Sequence, residues 1–153
     1  IVFLRPTTIF KTVNDIDAAI CKLKKSKYDS IRSISKASYP PYWLKKIEGD
    51  RLVSFLDNNQ HEGTYSQYLP DVYQVNGAIE VIKRETIFSN ELLYNKKKKA
   101  NNFSGSDLHK LEYGERIGFI MMDEYATLDI DTELDFMCVE YLYPIWANKN
   151  QGT

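Results

Sequence analysis

Short apolar runs alternate with an amphipathic segment at the start of this chain, a pattern that predicts an α/β arrangement. Residues 1–5 form an apolar run closed by Pro6, which is typical of a central strand in a parallel sheet. Apolar residues then recur at helical spacing from Val13 to Leu23, and residues 30–35 follow as the next strand. The order of strand, helix and strand favours a sheet with helices packed against it.

The middle of the chain has a different pattern. Tyr39-Pro40-Pro41-Tyr42 holds an extended or turned backbone, because its two prolines remove hydrogen-bond donors. Two strand-like runs then flank Glu48-Gly49-Asp50, a connection that predicts a β-hairpin. The polar residues 57–66 predict a long loop. These segments interrupt the alternation of strands and helices.

Two further apolar runs extend the predicted sheet. Residues 75–82 form a strand that contains Asn76-Gly77, where the glycine marks either a turn or bulge, or the close approach of a ligand or another backbone. Residues 83–90 predict a short helix, and residues 95–106, with a run of lysines, predict a solvated loop. Residues 118–122 are the last predicted strand.

The final segment predicts an amphipathic helix that ends at Pro144. Its predicted apolar face consists of Leu134, Met137, Cys138, Tyr141 and Leu142. Cys21 and Cys138 each lie within a predicted helix, which indicates buried free thiols rather than a disulfide framework. Free thiols favour a reducing compartment and therefore a cytoplasmic location.

Composition narrows the function classes. The 153 residues are 43% hydrophobic and 27% charged, values that suit one globular domain spanning residues 1–153. A net charge of -1 offers no electrostatic footprint for nucleic acid, and the lack of a long apolar segment argues against a membrane span. We therefore expect a small molecule or another protein as the partner. Because the chain begins on an apolar run with no Met or signal peptide before it, we expect a fragment.

The candidate chemistry lies in Asp129-Ile130-Asp131-Thr132-Glu133-Leu134-Asp135. If residues 128–131 are extended, Asp129 and Asp131 share a face and could hold Mg²⁺ together with the phosphates of a substrate. A helix start explains the same residues without metal, since Thr132 and Asp135 fit a capping box. The pattern leaves both interpretations open.

Three stretches in order resemble the acylneuraminate cytidylyltransferases, which are the CMP-sialic acid synthetases and their relatives acting on legionaminic and pseudaminic acids. The first runs from Leu4-Arg5-Pro6-Thr7-Thr8-Ile9-Phe10-Lys11 to Asp15-Ile16-Asp17-Ala18-Ala19-Ile20. The second runs from Leu69-Pro70 to Asn76-Gly77-Ala78-Ile79, and the third is residues 128–136. The resemblance covers essentially the whole chain.

This resemblance implies a three-layer, Rossmann-like nucleotidyltransferase sheet. It also implies that residues 39–70 are a β-hairpin insertion through which two copies form a homodimer. The family's N-terminal strand and phosphate-binding loop have no counterpart here, so the resemblance implies an N-terminally truncated domain. Activity would then belong to the complete chain.

The implied reaction joins a sialic-acid-like nonulosonic acid to the CMP of CTP and releases pyrophosphate. By resemblance, Asp129 and Asp131 are the catalytic carboxylates and bind Mg²⁺. The implied substrate-binding residues are Arg5, Thr7, Thr8, Lys45, Gln67, Asn76 and Gly77. The chain departs from the family pattern beside Gln67, where Ser66 and Tyr68 stand in place of the usual Arg, and at Glu80, where the family has an aromatic residue.

Two other functions are compatible with the sequence. The first is a glycosyltransferase that uses an Asp-x-Asp metal motif, although such a protein would place an acceptor domain after the motif and here only one helix and a short tail follow. The second is a non-catalytic truncated paralogue that acts as a dimerisation or binding module. The missing phosphate loop favours this second alternative.

Overall fold

The computed structural model describes residues 1–57, 60–88, 109–110 and 112–150. The chain divides into two compact units, one formed by Ile1–Ser35 with Val75–Thr153 and the other by Lys36–Gln74. The strands of the described residues are, in chain order, β1 (Val2–Phe3), β2 (Ser30–Lys36), β3 (Lys45–Glu48), β4 (Arg51–Ser54), β5 (Tyr73–Ile82) and β6 (Ile117–Met121).

A four-stranded mixed sheet with the order β1-β5-β2-β6 forms the centre of the first unit. β2 and β6 are parallel, with a register that runs from Ser30 opposite Ile117 to Ile34 opposite Met121. β1 is antiparallel to β5, and Val2 lies opposite Val81. The fold is therefore α/β, as the sequence pattern predicted.

The prediction of a central parallel strand at residues 1–5 was wrong. β1 covers only Val2–Phe3, pairs antiparallel with β5, and lies at one end of the described sheet. Both of its residues are exposed. An apolar run before a proline has the same pattern at the centre and at the edge of a sheet, because periodicity does not reveal which strands are neighbours.

Helix α1 (Val13–Lys25) begins with a capping box. The Asp15 N–H donates to the Thr12 hydroxyl at 3.2 Å, and the Thr12 N–H donates to the Asp15 carboxylate at 2.8 Å. The buried side chains of Ala19 and Leu23 pack into the main core of this unit. The strands contribute most of the other members of that core, which are Ile31, Ala78, Ile79, Val81 and Ile120.

The final helix, α2 (Glu133–Asn150), also starts with a capping box. Thr132 accepts a hydrogen bond from the Asp135 N–H at 3.2 Å, and the Asp135 carboxylate accepts from the Thr132 N–H at 2.8 Å. The Thr132 hydroxyl also donates to the Asp135 carboxylate at 2.7 Å, and this bond, together with the one from the Thr132 N–H, holds the pKa of the Asp135 carboxyl below its usual range. The capping interpretation of the sequence is confirmed.

The predicted end of this helix at Pro144 was wrong, because Pro144 lies inside α2. A proline removes one backbone hydrogen bond from a helix, and packing beyond it can compensate. Trp146 supplies such packing, since its ring meets the buried Phe10 ring edge to face with centroids 5.5 Å apart.

The predicted apolar face of α2 was largely wrong as well. Met137 and Tyr141 are exposed at 60% and 73%, whereas the buried residues of the helix are Val139 and Trp146. Apolar residues occur on nearly every side of α2, so spacing alone does not identify the buried side. Cys21 and Cys138 are free, as predicted, but both are exposed rather than buried.

The second unit contains the predicted hairpin. β3 and β4 pair antiparallel from Lys45 opposite Ser54 to Glu48 opposite Arg51, and Gly49 turns the chain with a φ of 68°. Ile47, on β3, is 77% exposed. The unit therefore displays apolar surface instead of burying it.

Two remaining predictions concern the segment after β5. Residues 84–88 are helical, which agrees with the short helix predicted at residues 83–90 as far as the description extends. The solvated loop predicted at residues 95–106 lies outside the described residues.

Within the described part of the chain, no helix has the length and apolar character that crossing a membrane requires.

Candidate functional site

The loop that follows β1 closes around the ammonium group of Lys11. This group donates to the Arg5 carbonyl at 2.9 Å, to the Thr8 carbonyl, and to the Thr8 hydroxyl at 3.3 Å. The Thr8 side chain is buried, and its hydroxyl donates to the Arg5 carbonyl at 3.1 Å. The backbone oxygens of the loop are thus satisfied internally, while the Arg5 side chain remains 54% exposed.

A backbone hydrogen bond joins this loop to the segment that carries the candidate carboxylates. The Ile130 N–H donates to the Thr7 carbonyl at 3.2 Å. Beside this bond, Arg5 Nη1 lies 3.9 Å from Asp129 Oδ2. The structure therefore brings Arg5, Thr7, Thr8 and Asp129 together, while the binding roles that the resemblance implies for them remain predictions.

One oxygen of Asp129 has no partner. Asp129 Oδ1 is buried and accepts no hydrogen bond from the described residues. A buried carboxylate oxygen without a donor is costly unless a ligand completes it. This atom is the feature of the site that most directly indicates a missing cation or donor.

The charges around this oxygen are mixed. Burial lowers the pKa of the Lys11 ammonium, and the negative charge of Asp129 opposes that shift. The site therefore combines one incompletely paired carboxylate with two basic side chains, Arg5 and Lys11. Such a set can bind a divalent cation and an anionic group side by side.

Asp131 lies in a different environment. It is exposed, and its N–H donates to the Asp135 carboxylate at 3.2 Å. Residues 128–131 form a loop rather than a strand, so the shared face predicted for Asp129 and Asp131 remains a prediction. No three acidic, His or Cys side chains of the described residues form a ready metal cluster. Mg²⁺ needs only one or two carboxylates when phosphates and water complete its shell, so a site at Asp129 and Asp131 stays a prediction.

Gly77 explains how Arg5 reaches its position. The φ of Gly77 is 69°, and a Cβ built there would meet the Arg5 guanidinium carbon at 3.0 Å. The sequence left open whether this glycine serves a turn or bulge, or a close approach. The structure shows the close approach of a side chain from the same chain.

Replacing Gly77 with Ala is expected to destabilise the protein by more than the ~1 kcal/mol typical of Ala in a left-handed backbone. The added Cβ must also displace the Arg5 guanidinium. Gly49→Ala is the matched control, since its φ is 68° and nothing lies within 4 Å of its Cβ position. Urea unfolding measures both losses. In an Arg5→Ala background the two losses should become similar, and an excess for Gly77→Ala that persists there would contradict the role assigned to Arg5.

Asn76 has internal partners on every polar atom of its side chain. Its Oδ1 accepts from Ser33 Oγ at 2.5 Å and from the Ala78 N–H at 3.1 Å, and its Nδ2 donates to Ser35 Oγ at 2.9 Å. Asn76 therefore ties β5 to β2. The substrate contact predicted for it remains a prediction.

Lys45 and Gln67 belong to the unit Lys36–Gln74. Lys45 forms an ion pair with Glu62. Gln67 lies in a 3₁₀ turn and lines a cavity of about 420 Å³ together with Trp43 and Pro70. The substrate contacts predicted for these two residues also remain predictions.

The sequence interpretation missed the partners of Glu80. Glu80 Oε1 accepts from Arg32 Nη2 at 2.6 Å and from Arg32 Nε at 3.1 Å, and Glu80 Oε2 accepts from the Tyr113 hydroxyl at 3.0 Å. The Arg32 guanidinium also lies over the Tyr113 ring, 4.0 Å from its centroid. Burial raises the pKa of Tyr113, and the bond to Glu80 adds to the shift. The negative charge of Glu80 is therefore balanced by the Arg32 guanidinium inside the protein.

Lys11 was also missed as a site residue. The signal that could have identified it is its position: a basic side chain follows shortly after a Pro-Thr-Thr loop, whose carbonyl groups need hydrogen-bond donors. The sequence did not reveal that the side chain folds back onto Arg5 and Thr8. That contact depends on the loop conformation.

Comparisons with known proteins agree with the resemblance at a coarse level. The chain is 27% identical over 112 residues to the CMP-N,N'-diacetyllegionaminic acid synthase of Campylobacter jejuni, a match that covers 73% of this chain and 38% of that protein. It is 26% identical over 129 residues to the post-translational flagellin modification protein B of Campylobacter coli. This match covers 84% of this chain and 46% of that protein. No family model matches.

These matches support a distant relationship to cytidylyltransferase-like proteins. The chain spans less than half the length of both relatives. The activity, substrates and partners of a whole protein are accordingly matters of proposal for this chain.

Proposed function

We propose that this chain is part of a cytidylyltransferase that joins a sialic-acid-like nonulosonic acid to the CMP of CTP and releases pyrophosphate. The observation that carries the proposal is the buried, unpaired Oδ1 of Asp129 beside the guanidinium of Arg5. The name of the Campylobacter jejuni relative, a CMP-sugar acid synthase, supports the same chemistry.

Asp129 and Asp131 are the residues that would hold Mg²⁺, which neutralises phosphate charge in reactions of this class when it is bound. Asp129 contributes the buried oxygen, whereas Asp131 contributes an exposed carboxylate from the same loop. Most of the catalytic effect in phosphoryl transfer comes from positioning and charge, so a small set of fixed groups is sufficient.

Arg5 is suited to the acidic substrate. Its guanidinium is more than half exposed, and the 3.9 Å separation from Asp129 is a loose ion pair that leaves donors available. A guanidinium can bind a carboxylate through two parallel hydrogen bonds. In this proposal Arg5 binds the carboxylate of the sugar acid, Thr7 lines the pocket, and the buried Thr8 holds the loop.

The unit Lys36–Gln74 is proposed as the dimerisation insertion. Its exposed side chains form the kind of apolar surface that marks a protein interface. They include Tyr39, Ile47, Leu52, Phe55, Tyr65 and Tyr68. In this proposal the insertion reaches into the active site of the second copy and places Lys45 and Gln67 there. The four-stranded sheet is proposed to be part of a Rossmann-like nucleotidyltransferase fold.

The test is release of pyrophosphate from CTP in the presence of Mg²⁺ and a nonulosonic acid. It uses a form of the protein that includes an N-terminal phosphate-binding loop of the kind the proposal requires. We expect turnover that requires both substrates and stops on chelation of the metal. Absence of turnover, combined with no heat of CTP binding by calorimetry, would instead favour a non-catalytic binding module.

A further inference from the structure

Two buried serines of β2 belong to a continuous series of hydrogen bonds that crosses to the neighbouring strand β5. Ser33 and Ser35 are both fully buried. The Ser33 hydroxyl accepts from the Ile79 N–H at 2.9 Å and donates to Asn76 Oδ1 at 2.5 Å. Asn76 Nδ2 donates to the Ser35 hydroxyl at 2.9 Å, and this hydroxyl donates to the Asp123 carbonyl at 2.9 Å. Each hydroxyl therefore donates one bond and accepts one bond.

The direction of these bonds is fixed at both ends by groups that have only one role. The Ala78 N–H can only donate, so the atom of Asn76 that lies 3.1 Å from it is Oδ1. The Asp123 carbonyl can only accept, so the Ser35 hydroxyl donates to it and accepts from Asn76. The orientation of the Asn76 amide group is therefore determined. Replacing either serine with alanine would leave buried polar groups without a partner.

One end of this network holds the bend at Gly77. Asn76 Oδ1 accepts from the Ala78 N–H two residues further on, which closes a tight turn over Gly77. The bond from Ser33 holds the same Asn76 oxygen from β2. The φ of Gly77 is 69°, and the Arg5 guanidinium carbon lies 3.0 Å from the position that a Cβ would occupy there. The network thus fixes the bend against which the Arg5 guanidinium lies.

The other end of the network reaches the segment that carries Asp129. Asp123 immediately precedes the 3₁₀ turn Glu124–Thr127, which ends shortly before Asp129. The Ile130 N–H then donates to the Thr7 carbonyl at 3.2 Å, in the loop that follows β1. The bond from Ile130 to Thr7 therefore joins the two segments that the network holds from its two ends.

We propose that Ser33 and Ser35 are positioning residues of the candidate site. Through Asn76 they hold the bend beside Arg5 and the segment that carries Asp129. This role rests on the proposed function, because the two groups that are positioned are those assigned to the sugar acid and to the metal. Asn76 acts through the bend and need not touch the substrate.

The first test measures amide hydrogen exchange in the chain by nuclear magnetic resonance, without substrate or turnover. Ser30→Ala is the matched control, because Ser30 is also fully buried on β2 and its hydroxyl donates outside the network, to the Tyr113 carbonyl at 2.7 Å. Ser33→Ala and Ser35→Ala should each speed exchange of the Ile130 N–H about tenfold more than Ser30→Ala does. A general loss of stability would affect all three variants alike.

The second test separates KM from kcat, in a form of the protein that includes an N-terminal phosphate-binding loop. Ser33→Ala should raise KM for the sugar acid about tenfold and leave KM for CTP unchanged, because it frees the Arg5 guanidinium from its position. In an Arg5→Met background, Ser33→Ala should raise this KM no further. Ser30→Ala should change neither KM. A serine that only stabilised the fold would lower the active fraction, which reduces kcat and leaves KM unchanged.

The positioning role is overturned if a folded Ser33→Ala or Ser35→Ala variant speeds exchange of the Ile130 N–H no more than Ser30→Ala does. It is also overturned if Ser33→Ala raises KM for the sugar acid as much in the Arg5→Met background as it does alone. Each serine bonds Asn76 independently, so one variant is sufficient if the other fails to fold. Absence of pyrophosphate release together with the expected exchange pattern would contradict the proposed function alone, since exchange is measured without turnover.

Discussion

Replacing Asp129 with Asn should lower kcat/KM for pyrophosphate release from CTP by at least about 10²-fold, in a form of the protein that includes an N-terminal phosphate-binding loop. The amide removes the charge that would hold Mg²⁺ and places an N–H₂ group or a neutral oxygen at the buried position of Oδ1. It changes the volume of the side chain very little. The loss should therefore appear in turnover and not in thermal stability.

Asp17→Asn is the matched control, since it makes the same change at an exposed position on α1. It should leave kcat/KM unchanged. The double change of Asp129→Asn with Asp131→Asn should remove the Mg²⁺-dependent part of the rate. Normal turnover by this double variant would show that the metal assignment is wrong.

The sequence predicted most local elements correctly, because their signals are short-range. Thr132 precedes Asp135 at the spacing of a capping box, and the final helix starts there. The turn around Gly49 likewise needs only its neighbours in sequence. These elements depend on hydrogen bonds within a few residues.

The errors arose where the outcome depends on distant partners. Residues 1–5 have the pattern of a central strand, but among the described residues β1 pairs with β5 alone, on one side. Pro144 would end an isolated helix, whereas the packing of Trp146 on Phe10 stabilises the turn beyond it. Sequence spacing contains no information about these contacts.

The residues of the candidate site likewise fall into those that the sequence identified and those that it missed. Arg5 and Asp129 were identified from motifs, and the structure brings their side chains together. Lys11 and the pair of Glu80 with Arg32 were missed, since each depends on a contact that the chain makes only when folded. Glu80 was noted as a departure from the family, but its partner lies 48 residues away in sequence.

Replacing Glu80 with Leu is expected to destabilise the protein by about 3 kcal/mol, because it leaves the Arg32 guanidinium buried without its counter-charge. The side chains of Arg32 and Glu80 are only 14% and 9% exposed, so water cannot replace the lost carboxylate easily. The Tyr113 hydroxyl also loses its acceptor. Thermal unfolding should show a decrease in Tm of roughly 6 to 12 °C for a chain of this size.

Two comparisons show whether the loss comes from the unpaired charge. Asp71→Asn breaks the ion pair between Lys36 and Asp71, whose side chains are 74% and 64% exposed, respectively. This change should alter Tm very little, because water screens that pair. Combining Glu80→Leu with Arg32→Met removes both charges and should recover most of the lost stability, since a buried pair replaced by apolar groups is often near neutral. If Glu80→Leu lowers Tm no more than Asp71→Asn does, the pair contributes nothing to stability. If the double variant is as unstable as Glu80→Leu alone, the loss comes from packing around Glu80 rather than from the charge left on Arg32.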